Sequence, residues 1–249
     1  MKILGIGNAI VDVICKVEEN FINQHNLVKG NMKLIFDQNE FKNLLLNLKV
    51  EKTISGGSVA NSIVGLSQQG NKVGFIGKVS DDNLGEKYEI GLKKENVEYI
   101  YSKKKEEIPT GTCLILVTPD SERTMCTFLG IAGKINENDF TTDTIKNSEM
   151  IFLEGYLWDE GDPKKAFDKA INSAKKVAMS LSDKFCVDRH KPHFLNLVKY
   201  RLDITFANEE EIMSLINTNN FDDVVKFAKE INKLVVITRG EKGAISIQG

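Results

Sequence analysis

The sequence has little of several features that mark specialised classes of protein. Its 249 residues include one tryptophan, four prolines and four cysteines, and 33 basic residues nearly balance 35 acidic ones, for a formal net charge of −2. A protein that binds nucleic acid through bulk charge carries an excess of Lys and Arg. The basic run 103–105 is followed at once by Glu106 and Glu107, which is typical of a solvated loop. We therefore expect no nucleic-acid partner.

Long apolar runs are also missing. No stretch approaches the roughly 20 apolar residues that a membrane-spanning helix needs, and Met1-Lys2 leads directly into a strand-like pattern without the apolar segment of a signal peptide. The cysteines form no C-x-x-C pair, and three of them lie in apolar strand-like runs, where a small buried thiol is usual. We expect a cytoplasmic protein with reduced cysteines and no membrane contact. The cysteines are Cys15, Cys113, Cys126 and Cys186.

Strand-like and helical segments alternate in much of the chain. Hydrophobic residues make up 41% and charged residues 27% of the sequence, as in a soluble globular protein. Beyond about residue 150 the alternation is strict, which predicts right-handed crossovers and an α/β fold whose mainly parallel central sheet is flanked by helices. Residues 2–17 read as one continuous strand. The segments at about 11–17, 33–36 and 98–130 carry no helical pattern and predict a small separate sheet.

Polar residues follow four of the predicted strands at the point where each one ends. These residues are Glu154, Asp183, Asn208 and Thr238. In parallel sheets ligands bind beyond the carboxyl ends of the strands. This edge of the sheet is therefore the predicted place for a site.

The glycine pair Gly56-Gly57, which stands before a helical run, predicts a backbone that another group approaches closely. Glycine has no Cβ to block that approach, and the N-terminus of a helix offers unpaired N–H groups. Asn61 falls in the first helical turn, where its amide could bind a polyhydroxylated ligand. Asp12 is a second candidate, because a carboxylate in an apolar strand is costly to bury without partners. The alternatives are a tight turn that needs glycine for its dihedrals alone and an edge-strand carboxylate that faces water.

Two other patterns point to different chemistry. Gly5-Ile6-Gly7 invites a dinucleotide-fold interpretation, but the third glycine is missing and a strand pattern follows, so this interpretation is rejected. Cys186 with the polar stretch 188–193 could be read as a metal site. Its spacing matches no standard zinc pattern and Pro192 interrupts it, so a polar loop and helix start near the cleft is favoured.

The ordered set of motifs resembles the ribokinase-like, phosphofructokinase-B-type carbohydrate kinase family, and within it the adenosine kinase-like branch. The resemblance covers the whole chain in the right order, which is more specific than any single motif. The motifs shared with the family are Gly5-x-Gly7-Asn8-x-x-x-Asp12, Gly56-Gly57-x-x-x-Asn61, Gly77-Lys78-x-x-x-Asp82-x-x-Gly85, Asn208-Glu209-x-Glu211 and Thr238-Arg239-Gly240-x-x-Gly243. The branch resemblance rests on the segments 114–120, 154–158 and 181–189.

The resemblance implies ATP-dependent transfer of a γ-phosphoryl group to a primary hydroxyl of a nucleoside or sugar. It implies one ribokinase-like domain over 1–249 with a small β-sheet lid, formed by the segments at about 11–17, 33–36 and 98–130. Arg123 would approach the transferred phosphoryl group, and Glu211 would help to order Mg²⁺, a cation that prefers oxygen ligands. The implied substrate-binding residues are Asn8, Asp12, Gly56, Gly57, Asn61 and Glu154. The implied nucleotide-binding residues are Asn208, Thr238, Arg239, Gly240 and Gly243.

One signature of the family is absent from the sequence. The motif Asp-Thr-x-Gly-Ala-Gly-Asp would follow the last hairpin, and it supplies an anion hole and the base that acts on the acceptor hydroxyl. The sequence given stops at Gly249, and no other carboxylate obviously replaces that base. We therefore expect a domain without its C-terminal part that does not turn over as given.

The implied acceptor is adenosine, with a sugar of the ribokinase or fructokinase type, or a non-catalytic nucleoside- or sugar-binding module, as alternatives. A nucleoside needs an apolar slot for its base. Candidates for that slot are Phe36, Leu116, Phe128 and Trp158, each of which packing alone would also explain. An exposed lid sheet would permit a homodimer.

Overall fold

The computed structural model describes residues 1–46, 48–159 and 163–249, which form two β-sheets and the helices around them. The strands are β1 (Ile3–Ile6), β2 (Ile10–Lys16), β3 (Met32–Leu34), β4 (Val50–Gly56), β5 (Val73–Ile76), β6 (Glu98–Tyr99), β7 (Gly111–Val117), β8 (Arg123–Phe128), β9 (Met150–Glu154), β10 (Val177–Ser180), β11 (Ile204–Asn208), β12 (Leu234–Thr238) and β13 (Ala244–Ile247). The α-helices are α1 (Glu19–Gln24), α2 (Gln38–Leu46), α3 (Ser58–Gln68), α4 (Asn83–Lys94), α5 (Thr142–Lys146), α6 (Pro163–Ser173), α7 (Lys184–Tyr200), α8 (Glu209–Ile216) and α9 (Phe221–Glu230). Short 3₁₀ helices span Gly130–Lys134, Gly155–Asp159 and Gly240–Lys242.

The larger sheet has the strand order β13-β12-β11-β10-β9-β1-β5-β6. Neighbouring strands run parallel, except that β13 is antiparallel to β12. Short strands such as Val73–Ile76 are buried throughout, which explains their continuous apolar sequence. The next strands of this sheet along the chain, β5 and β6, lie on one side of β1. The later strands, from β9 to β13, lie on its other side. The strand order therefore reverses between β1 and β9, where ligands bind in open α/β sheets.

The smaller sheet has the strand order β3-β8-β7-β2-β4. Within the segment at about 98–130, which was expected to join a small sheet, β7 and β8 form an antiparallel hairpin. Three segments differ from the prediction. Val50–Gly56 is an additional strand of this sheet, and Glu98–Tyr99 pairs with β5 in the larger sheet. In the predicted segment at about 33–36, the strand lies at Met32–Leu34.

The prediction of one continuous strand over residues 2–17 is wrong. The chain leaves the larger sheet after Ile6 and enters the smaller sheet at Ile10. Between them, the Asn8 N–H donates to the Glu154 carboxylate, which lies 146 residues further along the chain. A run of apolar residues does not show which of two sheets it joins, because that depends on such distant partners. The expected fold class, a mainly parallel sheet flanked by helices with a small second sheet, is confirmed.

The stretch 188–193, predicted as a polar loop and helix start, lies inside α7, which begins at Lys184, so the loop part of that prediction is wrong. The helix is kinked at His190, two residues before Pro192. Pro192 has no backbone N–H and so cannot donate a hydrogen bond within the helix. His193 faces the interior, where its Nδ1 accepts a hydrogen bond of 3.1 Å from Trp158 Nε1. Within the described residues no group of three or more His, Cys, Asp or Glu side chains could hold a metal ion.

Two further points concern the described parts of the chain. The four cysteines are buried and form no disulfide. Apolar helices of membrane-spanning length are not found among the described helices.

Candidate functional site

A cavity of 650 Å³ lies where the strand order reverses, and we call it the switch-point cavity. Its volume falls within the range of about 300 to 1,000 Å³ that is typical of small-molecule sites. Five of the six predicted substrate-binding residues line it together. They are Asn8, Asp12, Gly57, Asn61 and Glu154. The sixth, Gly56, ends β4 beside Asp12.

Asp12 projects from the middle of the smaller sheet. Its strand β2 lies between β7 and β4, so the edge-strand interpretation of this carboxylate is wrong. A Cβ at Gly56 would lie 2.2 Å from the Asp12 Oδ2 atom, so glycine is needed there to make room for the carboxylate. Burial raises the pKa of Asp12 to about 6, because the charged form loses solvation. The carboxylate is therefore a costly group held at a cavity wall, as in a binding site.

Gly57 forms the turn between β4 and α3. Its φ of +106° is unfavourable for residues with a Cβ, and a Cβ there would lie 2.3 Å from the backbone oxygen of Asn8. The Gly57 carbonyl accepts a 2.9 Å hydrogen bond from the backbone N–H of Asn61. This bond begins the helix on which Asn61 exposes its side chain to the cavity. The turn therefore combines both roles that the sequence left open, strained dihedrals and close approach to a site.

Glu154 is the last residue of β9 and is 1% exposed. Its Oε1 accepts a 2.8 Å hydrogen bond from the backbone N–H of Asn8, and its Oε2 accepts one of 2.9 Å from the backbone N–H of Val59. Burial raises the pKa of Glu154 to about 7, while these hydrogen bonds act in the opposite direction. The hydrogen bond from Val59, at the start of α3, could not be predicted from the sequence, because Val59 donates it only through its backbone N–H.

Asn8 is 3% exposed, and its side-chain oxygen Oδ1 has no hydrogen-bond partner among the described residues. A buried polar atom without a partner is costly, and such atoms call for an explanation. Because Asn8 lines the switch-point cavity, a ligand hydroxyl could donate to this oxygen.

The apolar wall of the cavity consists of side chains that the sequence analysis did not select. Of the four candidates for a base slot, Leu116 and Trp158 are buried in the core, and Trp158 stacks on Phe167 at 4.1 Å. Phe36 and Phe128 line a separate cavity of 270 Å³. The residues that form the wall are Ile10, Leu34, Met125, Leu129 and Phe185. The position of Met125 on β8 could have been predicted, because alternate residues of a strand face the same side of the sheet.

The charged side chains that line the switch-point cavity all carry negative charge. They are Asp12, Glu154 and Asp183. Among the described residues that line it, there is no Lys or Arg. The cavity therefore favours a ligand that donates hydrogen bonds and carries no negative charge.

A second cavity, of 460 Å³, lies at the turn between β12 and β13, and we call it the hairpin cavity. Asn208 and Thr238 are paired across β11 and β12, and both line it with Arg239 and Gly240. Gly243 closes the turn by accepting a 2.8 Å hydrogen bond from the Arg239 N–H. The predicted nucleotide-binding residues thus lie together at the turn between β12 and β13. None of them lines the switch-point cavity.

The Arg239 guanidinium is already engaged. It donates two hydrogen bonds, of 3.1 and 3.0 Å, to the Glu209 carboxylate. It also stacks on the Phe221 ring, with its central carbon 3.6 Å from the ring centroid. A phosphate that binds in the hairpin cavity would compete with Glu209 for this guanidinium.

Glu211, the predicted metal ligand, is buried at the start of α8 and forms a capping box with Asn208. Its carboxylate accepts from the backbone N–H of Asn208 at 3.0 Å and from the Asn208 Nδ2 at 2.8 Å. Burial raises the pKa of Glu211, and the charges of Asp183 and Glu210 raise it further. Glu211 thus feels the charge of an acidic residue from each cavity, since Asp183 lines the switch-point cavity and Glu210 lines the hairpin cavity.

Arg123, the predicted catalytic residue, is not brought together with the others. It is exposed at the tip of the hairpin, where it pairs with Val117. Asp12 pairs with Cys113, and Cys113 pairs with Thr127, so these residues form one row across the smaller sheet. Arg123 lies four residues before Thr127 along β8. At about 3.4 Å per residue this places it about 14 Å away along the strand.

Comparison with known proteins gives a consistent result. The family model described as pfkB family carbohydrate kinase matches residues 6–249. A 5-dehydro-2-deoxygluconokinase of Mesomycoplasma hyopneumoniae strain 232 is 26% identical over 234 residues, which are 86% of this chain and 68% of that relative. One from Clostridium perfringens strain 13 is 32% identical over 206 residues, 76% of this chain and 60% of that relative. The chain thus matches about two thirds of the length of these curated relatives.

Solved structures share the fold over the whole chain. The adenosine kinase from Sinorhizobium meliloti is 34% identical with a TM-score of 0.90, and it covers 100% of this chain and 77% of its own. A probable sugar kinase from Rhizobium etli CFN 42 is 32% identical with a TM-score of 0.89, and it covers 100% of this chain and 76% of its own. The fold is therefore ribokinase-like, and the chain belongs to the pfkB family of carbohydrate kinases.

Proposed function

We propose that this chain binds an uncharged nucleoside, adenosine, in the switch-point cavity and ATP in the hairpin cavity, as part of an ATP-dependent phosphotransferase that acts on a primary hydroxyl. The observation that carries the proposal is the unpartnered Asn8 Oδ1 beside the half-buried Asp12 carboxylate. Both groups accept hydrogen bonds, as the hydroxyls of a ribose would require. The apolar wall across the same cavity suits the base.

The hairpin cavity supports ATP as the donor. Arg239 and Lys242 carry positive charge there, and Gly240 leaves open space where a side chain would stand. Mg²⁺ is supported by the oxygen donors of Glu211 and Asn208, where Asp183 and Glu210 add negative charge that a cation would offset. Mg²⁺ would supply charge neutralisation for the phosphates, with Glu211 and Asn208 holding it. The general base is the one part of the reaction to which we assign no residue of 1–249.

A sugar acceptor is the second candidate, because the curated relatives are named as 5-dehydro-2-deoxygluconokinases. A gluconate-type acceptor carries a carboxylate. In the switch-point cavity that carboxylate would face Asp12, Glu154 and Asp183 without a cation among the described lining residues. An unpaired buried charge is costly, so we favour neutral acceptors over sugar acids.

The test is a calorimetric titration of the 249-residue chain with adenosine, ribose and gluconate, together with an assay of ADP release. We expect saturable binding of adenosine, weaker binding of ribose, and none of gluconate. Binding of gluconate that is tighter than that of adenosine would overturn the proposed acceptor. Binding without ADP release would favour a binding module, or a base that these residues do not supply.

We further propose that the smaller sheet covers the acceptor as a lid and forms a homodimer contact. The free edge of β4 supports the dimer, since its Val50 and Ile54 side chains are 44% and 37% exposed. Sedimentation of the wild-type chain and of Ile54→Lys tests this contact. A dimer that Ile54→Lys dissociates would agree with it, and a wild-type monomer at high concentration would contradict it.

A further inference from the structure

Glu154 is the most completely engaged carboxylate of the switch-point cavity. Each of its two oxygens accepts a backbone N–H, one from Asn8 in the crossing between the sheets and one from Val59 at the start of α3. The chain makes room for it, since a Cβ at Gly7 would lie 2.8 Å from its Oε2. A carboxylate held in this way has little freedom to follow a ligand.

Glu154 also acts on the Asn8 side chain. The Asn8 side chain lies close enough to lower the pKa of Glu154, against the effect of burial. Its Oδ1 is the unpartnered buried atom of Asn8. By holding the backbone N–H of Asn8, the same carboxylate fixes the place from which this side chain projects.

We propose that Glu154 is a positioning residue that acts through Asn8 and the α3 N-terminus, and that it does not itself bind the acceptor. By accepting the backbone N–H groups of Asn8 and Val59, it fixes the positions from which the Asn8 side chain and the first turn of α3 meet the cavity. The ligand part of this inference rests on the proposed function. The intramolecular part rests on the contacts of Glu154 alone.

The first test uses the wild-type chain without ligand and follows the ¹⁵N–¹H resonances of Asn8 and Val59 by NMR. Both amides are expected to shift together with pH, with a midpoint near 7, the pKa to which burial raises Glu154. Groups near Glu154 that titrate or carry charge are Asp12, Asp183, Tyr88 and Tyr156, so the titration is repeated in Asp12→Asn and in Asp183→Asn. Glu154→Gln is expected to abolish the joint shift. Amides that do not respond to pH or to Glu154→Gln overturn the proposal.

The second test is a double-mutant cycle on adenosine affinity with Glu154→Gln and Asn8→Ala. Glu154→Gln is expected to raise the dissociation constant about tenfold, which is within the range for a hydrogen bond to a charged group. In the Asn8→Ala background it should add less than about threefold, because its effect passes through Asn8. Additive effects would mean that Glu154 binds the ligand directly and would overturn the proposal. If adenosine does not bind at all, the proposed function fails while the NMR test still decides the intramolecular role.

Asp82→Asn is the matched control. The Asp82 carboxylate likewise accepts two backbone N–H groups, from Gly85 at 2.8 Å and from Thr110 at 2.9 Å, but it lies outside the lining of the switch-point cavity. We expect this variant to lower stability without moving the Asn8 and Val59 resonances. Movement of those resonances in Asp82→Asn would show that they report general loosening, and it would count against the specific role of Glu154.

Discussion

At the scale of single residues, the Asp12 carboxylate is half-buried in the wall of the switch-point cavity, and burial raises its pKa to about 6. Only the ionised form accepts hydrogen bonds through both oxygens. We therefore expect the affinity for adenosine to fall as the pH is lowered through about 6. Titration calorimetry between pH 5 and pH 8 measures this. In Asp12→Asn the step near pH 6 should be absent and the affinity lower throughout, whereas a wild-type affinity that is constant with pH would exclude Asp12 as an acceptor.

The same pKa shift has the opposite sign for stability. A folded-state pKa raised above 3.8 means that the native protein holds the proton more tightly, so stability is lost as the pH rises from about 4 to 6. Asp12→Asn should therefore raise the free energy of unfolding at pH 8, by about 1 to 2 kcal/mol after allowance for solvent at this half-buried group. At pH 4 the gain should be close to zero. Urea denaturation at the two pH values measures it, and an equal change at both would contradict it.

Gly57 offers a prediction about the backbone alone. Gly57→Ala places a Cβ 2.3 Å from the backbone oxygen of Asn8 at a φ of +106°. We expect it to lower the free energy of unfolding by about 2 to 4 kcal/mol, because backbone on both sides must shift. Gly65→Ala is the control, since Gly65 lies within α3 and a Cβ there meets nothing within 4 Å. That variant should gain about 0.5 to 1 kcal/mol. Similar losses in both variants would mean that α3, and not the Gly57 turn, is the sensitive element.

The sequence predicted individual site residues better than it predicted their partners. Asp12, Asn61 and the glycine pair were found because charge or missing side chains are visible in a sequence. The bond between Glu154 and the Val59 N–H could not be found, because any residue type supplies a backbone donor. The wall of Leu34, Met125 and Phe185 was missed because apolar residues in strands and helices are mostly core.

At the scale of elements, α8 begins with three acidic residues, of which Glu209 and Glu210 line the hairpin cavity. Acidic residues stabilise the N-terminus of a helix, but they also repel phosphates. Glu209→Gln removes one charge and weakens the restraint on Arg239. We expect ATP to bind about three- to tenfold more tightly, with a steeper dependence on salt, because the guanidinium becomes available. Glu210→Gln removes a charge from the same cavity without touching this ion pair, so its gain should be smaller. Weaker binding in Glu209→Gln would mean that Glu209 itself holds the nucleotide.

Elements of the larger sheet were predictable where helices and strands alternate strictly, as from β9 to α9. Elements that cross between the sheets were not. Residues 2–17 appeared as one strand because a buried start and an alternating continuation are both strand patterns, while the pairing partners change after Ile6. The stretch 188–193 appeared as a loop because its polar residues and Pro192 outweighed the helical pattern. In the structure the helix accommodates that proline with a kink at His190.

At the scale of the whole molecule, the two sheets are joined by chain crossings, and the connector that leads into β7 is fixed to the larger sheet. Asp82 accepts from both the N–H and the hydroxyl of Thr110, and the Asp81 N–H donates to the Lys104 carbonyl. The motif Gly77-Lys78-x-x-x-Asp82-x-x-Gly85 thus forms the attachment of the smaller sheet.

Lys78 lies at the centre of this attachment. It is buried at the end of β5, with its Nζ 3.5 Å from Asp139 and 3.7 Å from Glu106 on the connector. Asp139 also accepts a 2.8 Å hydrogen bond from the Asn136 N–H, which fixes it in place. Lys78→Met would leave the Asp139 carboxylate, whose side chain is 2% exposed, without its cation. Removing one partner of a buried pair is far more costly than replacing both.

We therefore expect Lys78→Met to lower the free energy of unfolding by about 3 to 5 kcal/mol, measured by urea denaturation. Lys78→Met with Asp139→Asn should recover at least about half of that loss, because the amide needs no cation. Lys33→Met is the control, since the ion pair of Lys33 with Glu40 is exposed on both sides. It should change stability by less than about 1 kcal/mol. If the double variant is as unstable as Lys78→Met alone, the contribution of Lys78 lies in the packing of its aliphatic chain, and the two sheets are held together by Thr110 and the chain crossings without a buried charge pair.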